Sequence, residues 1–430
     1  MVTSSTALDP TATASAPRPE DLALLQQLVA IPSLSDQERP AVEFLCGEMA
    51  SRGFRTRIDE AGNAVGEIGS GPRRVVLLGH IDTVPGQIPV RIEDGMLWGR
   101  GAVDAKGPLA TFVAAATAAA AELDVTVTVV GAVGEERLGS PGANAVATWP
   151  APDFCVIGEP SGWDAVCLGY RGTLGFLYTL TQPSRHTAGP GESSGEQAIA
   201  FWNRLAAAID DLNAANEATT TFTSISPTLR EMHVGNNGLE DQALMSIGLR
   251  LPPGVALGEL QQRIRDLATP GVVAVTGAQE GFRSPKQTPL APPFLRAIRA
   301  AEGTPRFTVK LGTSDMTVVG PVWRCPMVTY GPGDASLDHT PEERIAWHRE
   351  MVAEYCKLRN QGVDLRGYCW YPLLSSVDFQ HMLLENRGDV DPVGIYDLDD
   401  ERWERIPTEF TVEIARALNG AVVEPPMRVM

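Results

Sequence analysis

Apolar and polar positions alternate along the chain with two periods. In "PEDLALLQQLVAIPS", Leu22, Leu25 and Val29 fall on one helical stripe, and Pro32 ends it. A second helix is predicted in "RPAVEFLCGEMASRG". The β-branched runs "RRVVLLGH", "DVTVTVVGAV" and "DFCVIGEP" follow, separated by the alanine-rich "KGPLATFVAAATAAAAEL". Short buried strands alternating with such a helix predict an α/β layer. From Val166 to about Gln279 the texture changes to strand, helix, strand, strand, helix, strand, the order of a ferredoxin-like α+β unit inserted in that layer. The α/β pattern resumes with "PPFLRAIRAAEG" and "RCPMVTYGPG". A final helix is predicted from "HTPEER", with Thr340 as N-cap, Pro341 at the first helical position and Glu343 completing a capping box.

Both ends differ from this body. Residues 1–18 are rich in Ser, Thr, Ala and Pro and are expected to form a disordered tail. They lack the basic and apolar regions of a secretory signal. From about Gln361 the chain becomes aromatic-rich and then acidic and loop-like.

Composition narrows the function classes. Of 430 residues, 43% are hydrophobic and 20% charged, enough for two or three packed domains. The net charge is −18 and no Lys/Arg stripe is present, which argues against nucleic acid and anionic membranes as partners. No apolar run reaches the roughly 20 residues needed to span a bilayer. The six cysteines are scattered and form no CxxC pair, as expected of reduced core residues in a cytoplasmic protein.

The chemistry collects where predicted strands end. His80 and Asp82 lie in "GHIDTVPG", Asp104 in "GRGAVDAKG", Glu135 and Glu136 in "VGEER", Glu159 in "IGEPS" and His339 in "LDHTPEE". Each alone has a bland reading as a turn, a solvated face or a helix start. In open α/β sheets, however, loops at the carboxyl ends of strands line one crevice, so these residues can converge. Mixed nitrogen and oxygen donors suit Zn²⁺, with Co²⁺ or Mn²⁺ as substitutes. One carboxylate can bridge two cations, and Asp104, set among glycines, is the natural bridge. Asp82 is expected to hydrogen-bond the second nitrogen of His80 and fix its tautomer. One member of the Glu135/Glu136 pair is then free to act as a general base.

These motifs resemble those of the dinuclear-zinc aminoacylase/carboxypeptidase superfamily, which includes acetylornithine deacetylase, succinyl-diaminopimelate desuccinylase and glutamate carboxypeptidase. The resemblance covers about residues 20–358. It implies an α/β/α metallopeptidase catalytic domain over 19–165 and 280–358, with 166–279 as a ferredoxin-like lid and dimerisation domain. It implies one metal ion on His80, Asp104 and Glu159, and a second on Asp104, Glu136 and His339. Glu135 would be the general base and Asp82 would stand behind the ligands. "SRHTAGP" is similar to the family's lid histidine, so His186 would donate to the oxyanion from the partner subunit of a homodimer.

"LGYRGTLGF", "LGTSDMTVV" and "VTYGPGDASLDHTPEE" look most like the hydrolases that release lysine or ornithine from an amino-group carrier protein. The implied reaction is amide hydrolysis by water activated at the two cations. A small N-acyl amino acid such as N-acetylornithine is the alternative substrate, because the known carriers are acidic and this chain carries −18. Arg171 and Arg250 are candidates for the substrate carboxylate. Thr313, Ser314 and Asp315 fall on a loop that the family places at the pocket. Asp315 either neutralises a cationic side chain or caps a helix.

Residues 359–430 resemble the C-terminal end of β-glucosidase-like barrels. The carboxylate pair of a retaining glycosidase has no match here, so the segment is expected to be a non-catalytic appendage.

Overall fold

The computed structural model describes residues 19–346 except 94, 120–124, 138, 187 and 302, together with short strands at 376–377, 390–391, 396–398 and 405–407. The expected tail at 1–18 and most of the expected appendage at 359–430 lie outside the described residues. In chain order the elements are α1 (Pro19–Ala30), α2 (Arg39–Ser51), β1 (Arg55–Ile58), β2 (Ala64–Gly69), β3 (Arg73–His80), β4 (Arg91–Glu93), β5 (Met96–Trp98), α3 (Lys106–Ala119), β6 (Val125–Ala132), α4 (Pro141–Ala147), β7 (Phe154–Gly158) and β8 (Ala165–Tyr170). They continue with β9 (Gly172–Pro183), α5 (Ser194–Ala215), β10 (Ser226–Asn236), β11 (Glu240–Leu251), α6 (Leu257–Ala268), β12 (Val272–Gln279), β13 (Phe282–Arg283), α7 (Ala291–Ala300), β14 (Arg306–Lys310), α8 (Asp315–Trp323), β15 (Met327–Thr329) and β16 (Arg344–Ala346).

The chain divides into two units, of which the larger comprises Ala23–Val90 and Gly99–Ile345 and contains the site. The described part of the other includes an antiparallel hairpin of β4 and β5. In the larger unit a mixed sheet runs β1-β2-β6-β3-β7-β15-β8-β13, with β14 also on β8. Side chains alternate between its faces, and both faces are buried. Val127, Val129 and Val156 pack with Leu28, Leu45, Leu109 and Val113 from α1, α2 and α3. Val76, Leu78, Val130 and Ile157 pack with Val146, Met316, Val319 and Trp323 from α4 and α8. Two-sided burial is why these strands read as nearly unbroken apolar runs. The α/β expectation holds.

β3 pairs in parallel with β6 on one side and β7 on the other. His80 stands level with Ala132, and Gly79 level with Gly158. The three chains therefore leave the sheet side by side, which is where such sheets open a crevice.

A second sheet, β10-β11-β9-β12, carries the β-α-β-β-α-β order and is antiparallel throughout. Its core joins Phe176, Tyr178, Met245 and Ile247 to Phe201 and Leu205 of α5 and to Leu260 and Ile264 of α6. The stretch read as one strand from Val166 divides at Arg171: β8 belongs to the central sheet and β9 to the smaller one.

The helix expected to start at Thr340 does not begin there. Residues 340–343 are turn and loop, Arg344–Ala346 is a strand, and the remainder lies outside the described residues. Among the described residues no helix is long and apolar enough to cross a membrane.

Candidate metal centre

His80 is the last residue of β3, Glu135 and Glu136 follow β6, and Glu159 follows β7. Three adjacent strand ends thus deliver a histidine and three carboxylates to one place. Asp104 arrives on the loop before α3. There Gly101 has φ +85°, and a Cβ on it would sit 2.8 Å from the Thr83 methyl, so the turn requires glycine. His339 arrives after β15, past Gly331, where a Cβ would approach the Glu159 carbonyl oxygen to 2.7 Å.

The side chains converge as expected. His80 Nε2 lies 3.1 Å from Asp104 Oδ1 and 3.6 Å from Glu159 Oε1. His339 Nε2 lies 3.1 Å from Asp104 Oδ2 and 3.0 Å from Glu136 Oε1. The two oxygens of Asp104 therefore face different imidazoles. Donor atoms of His80, Asp104 and Glu136 lie within 4.8 Å of one another, as do those of His80, Glu135 and Glu159.

The electrostatics call for cations. Burial, with Asp104 adding, pushes the Glu159 carboxyl up to about 8, and burial pushes Asp315 up to about 7. Hydrogen bonds to Asp104 and Glu136 push His339 up to about 10. That pull on a proton is the pull a metal ion would feel. Buried oxygen and imidazole donors with this excess of negative charge fit divalent metal ions.

Asp82 acts differently from expectation. His80 Nδ1 is 3.0 Å from the backbone oxygen of Asp82, while the Asp82 carboxylate is 3.6 Å away. A carbonyl can only accept, so Nδ1 carries the hydrogen and Nε2 is the ring atom that could ligate a cation. The carboxylate is already occupied by Ser35 Oγ at 2.7 Å, Glu135 N–H at 3.0 Å and Glu136 N–H at 3.1 Å. It anchors the paired glutamates, while the Asp82 backbone oxygen is the atom within hydrogen-bond distance of the imidazole. Glu38 holds the same loop through Gly134 N–H at 3.1 Å.

The substrate candidates separate. Arg171 is buried, and its terminal nitrogen donates to Ser224 O, Ser226 Oγ and Arg250 O at 2.6, 2.9 and 2.8 Å. A buried guanidinium must find acceptors, and here it ties strand junctions together instead of facing an open carboxylate site. Arg250 is half-buried beside Arg230, with no carboxylate partner among the described residues. Ser314 caps α8 by accepting the Met316 N–H at 3.2 Å, so it is a helix cap. Asp315 is therefore not the cap; it is buried, and neither oxygen has a hydrogen-bond partner. Thr313 lies just before that cap, half-buried. His186 is exposed after β9 and accepts the Ala188 N–H at 3.2 Å; it touches no member of the cluster.

Some site residues escaped sequence reasoning. Lys106, 1% exposed, donates to Leu28 O and Ile31 O at 3.1 and 2.7 Å and so satisfies carbonyls at the end of α1. A lone lysine opening an apolar helix was the available signal. Arg100 and Glu343 pair at 2.6 Å beside the Asp104 loop.

Known proteins are similar to this chain in sequence and fold. The model of peptidase family M20/M25/M40 matches residues 76–357. A LysW-lysine hydrolase of Deinococcus radiodurans is 44% identical over 329 residues, covering 75% of this chain and 91% of the relative. A LysW-lysine/LysW-ornithine hydrolase of Sulfurisphaera tokodaii is 28% identical over 331 residues, covering 77% and 91%. The M20 family metallo-carboxypeptidase Sso-CP2 of Sulfolobus solfataricus shares the fold with a TM-score of 0.63 at 18% identity, covering 78% of this chain and 97% of that one. Parallel strand ends bearing a histidine–carboxylate cluster, and a family match over most of the body of the chain, lead to one conclusion: the protein belongs to peptidase family M20/M25/M40 and is a metal-dependent amidohydrolase.

Proposed function

We propose that the chain hydrolyses the amide joining the α-amine of lysine or ornithine to a carrier protein, LysW in the named relatives. The observation that carries this reading is the 44% identity to a LysW-lysine hydrolase across 91% of that protein's length. His80, Asp104 and Glu159 would hold one divalent metal ion, and Asp104, Glu136 and His339 the other; Zn²⁺ suits these donors best, with Co²⁺ or Mn²⁺ as substitutes. When bound, such a pair supplies Lewis acidity, bringing the pKa of water towards about 7 and polarising the amide carbonyl.

The chain's own residues do the rest. Glu135, left over from the ligand set, takes the proton of the attacking water and returns it to the departing α-amine. Asp82 holds Glu135 and Glu136 in place through their N–H groups. His186, brought in from the partner subunit of a homodimer by the small sheet acting as a lid, donates to the oxyanion. Arg250 pairs with the substrate carboxylate, and Asp315, beside Thr313, faces its side-chain ammonium. Residues 359–430 are an accessory segment without a part in the chemistry. Free cysteines at 46, 155, 167 and 325 accord with a cytoplasmic location.

Mass spectrometry of carrier-linked lysine and ornithine, before and after incubation with the metal-loaded protein, tests the reading. A mass loss of one lysine or ornithine residue (the free amino acid less water), blocked by chelator, is expected; an intact conjugate overturns it. The net charge of −18 favours a second reading, a small N-acyl amino acid such as N-acetylornithine, which the same assay compares directly.

A further inference from the structure

Glu343 is fully buried. Its Oε1 accepts the N–H of Val103 at 3.0 Å and of Asp104 at 3.1 Å, and its Oε2 receives Arg100 at 2.6 Å. Its own carbonyl accepts the Gly99 N–H at 3.3 Å. Arg100 in turn donates Nε–H to the Gly86 oxygen at 2.9 Å. One carboxylate and its guanidinium thus join three loops: that following His80, that bearing Asp104, and that bearing His339. His339 lies four residues before Glu343 and holds φ +61°, a left-handed conformation uncommon for a residue with a Cβ. Thr340 closes the turn at that histidine by donating to the Leu337 oxygen at 2.8 Å, and the buried Glu343 carboxylate ties the segment that follows to the Asp104 loop.

We propose that Glu343, clamped by Arg100, is a positioning residue that sets the two oxygens of Asp104 against His80 and His339. It ties the loop that supplies one ligand to the backbone of the ligand shared by both cations. The inference rests on the two-cation reading of the site. Groups that orient ligands in this way commonly change metal affinity 10–100-fold when altered.

The test uses the full chain, stripped with chelator and titrated with Zn²⁺ by calorimetry and with Co²⁺ by visible absorption. The wild type should take up two equivalents. Glu343→Gln keeps the shape of the side chain but loses the charge; it should weaken metal binding about 10–100-fold and alter the Co²⁺ spectrum, with Glu343→Asp recovering part of the loss. Arg100→Gln should show a smaller loss of the same sign. Wild-type uptake of two equivalents, with unchanged affinity and spectrum in Glu343→Gln, overturns the inference alone. If Glu343→Gln cannot be purified folded, unchanged affinity and spectrum in Arg100→Gln overturn it instead. A wild type that takes up fewer than two equivalents overturns the two-cation reading and the inference together.

Discussion

The carboxylate of Asp82 accepts the backbone N–H of Glu135 at 3.0 Å, so the acid two residues after His80 holds the loop of the paired glutamates. Asp82→Asn should lower kcat by roughly 10–100-fold, because an amide cannot accept from Glu135, Glu136 and Ser35 together. Circular dichroism and metal content should stay near wild type while steady-state kinetics reveal the loss. A variant with normal kcat would show that the anchoring is idle.

In the proposed ligand set Glu135 is the carboxylate left over. Glu135→Gln should reduce kcat by at least about 100-fold with both metal equivalents retained. Retained turnover in protein of verified metal content would remove Glu135 from the base role.

Asp315 makes a pH-dependent prediction. Burial raises its carboxyl to about 7 in the fold, while the unfolded chain releases the proton near 3.8. Stability from this group is complete below about pH 4, declines through the interval, and is lost above 7. In chelator, Asp315→Asn should therefore be more stable than wild type at pH 8, by at most about 4 kcal/mol, and melt higher, with little difference at pH 4. The same variant should lose activity on substrates with a cationic side chain. Equal melting points at pH 8 would show that the buried charge is compensated.

Arg171 and Arg250 should respond oppositely. Arg171→Ala removes a donor from the part-buried carbonyls of Ser224 and Arg250 and should cost about 1–3 kcal/mol of stability. Arg250→Ala should raise KM with little change in melting temperature. Calorimetry and kinetics on the two variants separate a strand tie from a substrate contact.

Removing metal should lower the melting temperature reversibly. At a metal concentration 100 times Kd, binding contributes about 2.7 kcal/mol. Scanning calorimetry with chelator, then with Zn²⁺ restored, measures it.

The site was legible in part because His80, Glu135, Glu136 and Glu159 sit at or just past strand ends, where an apolar run stops abruptly at a polar residue. His80 closing "RRVVLLGH" and Glu159 closing "DFCVIGEP" needed only that rule. Legibility failed where one local pattern suits two environments. "HTPEE" satisfies a capping box in sequence, yet Glu343 bonds to Val103 and Asp104, 240 and 239 residues earlier in the chain. Asp82 has the right spacing to bond His80, but backbone donors from the loop after β6 occupy its carboxylate. "VCLGYRGTLGF" is uniformly extended, and only the pairing partners on each side of Arg171 reveal two sheets. Each failure concerns a long-range partner that no window of neighbouring residues contains.

His80 sits opposite Ala132 in the ladder between β3 and β6. Side chains on a strand point alternately up and down, so a slip by one place would turn the imidazole into the wrong layer of the molecule. Turnover therefore reports assembly: a molecule that has zipped its central ladder out of step is inert, however well the rest of it has formed.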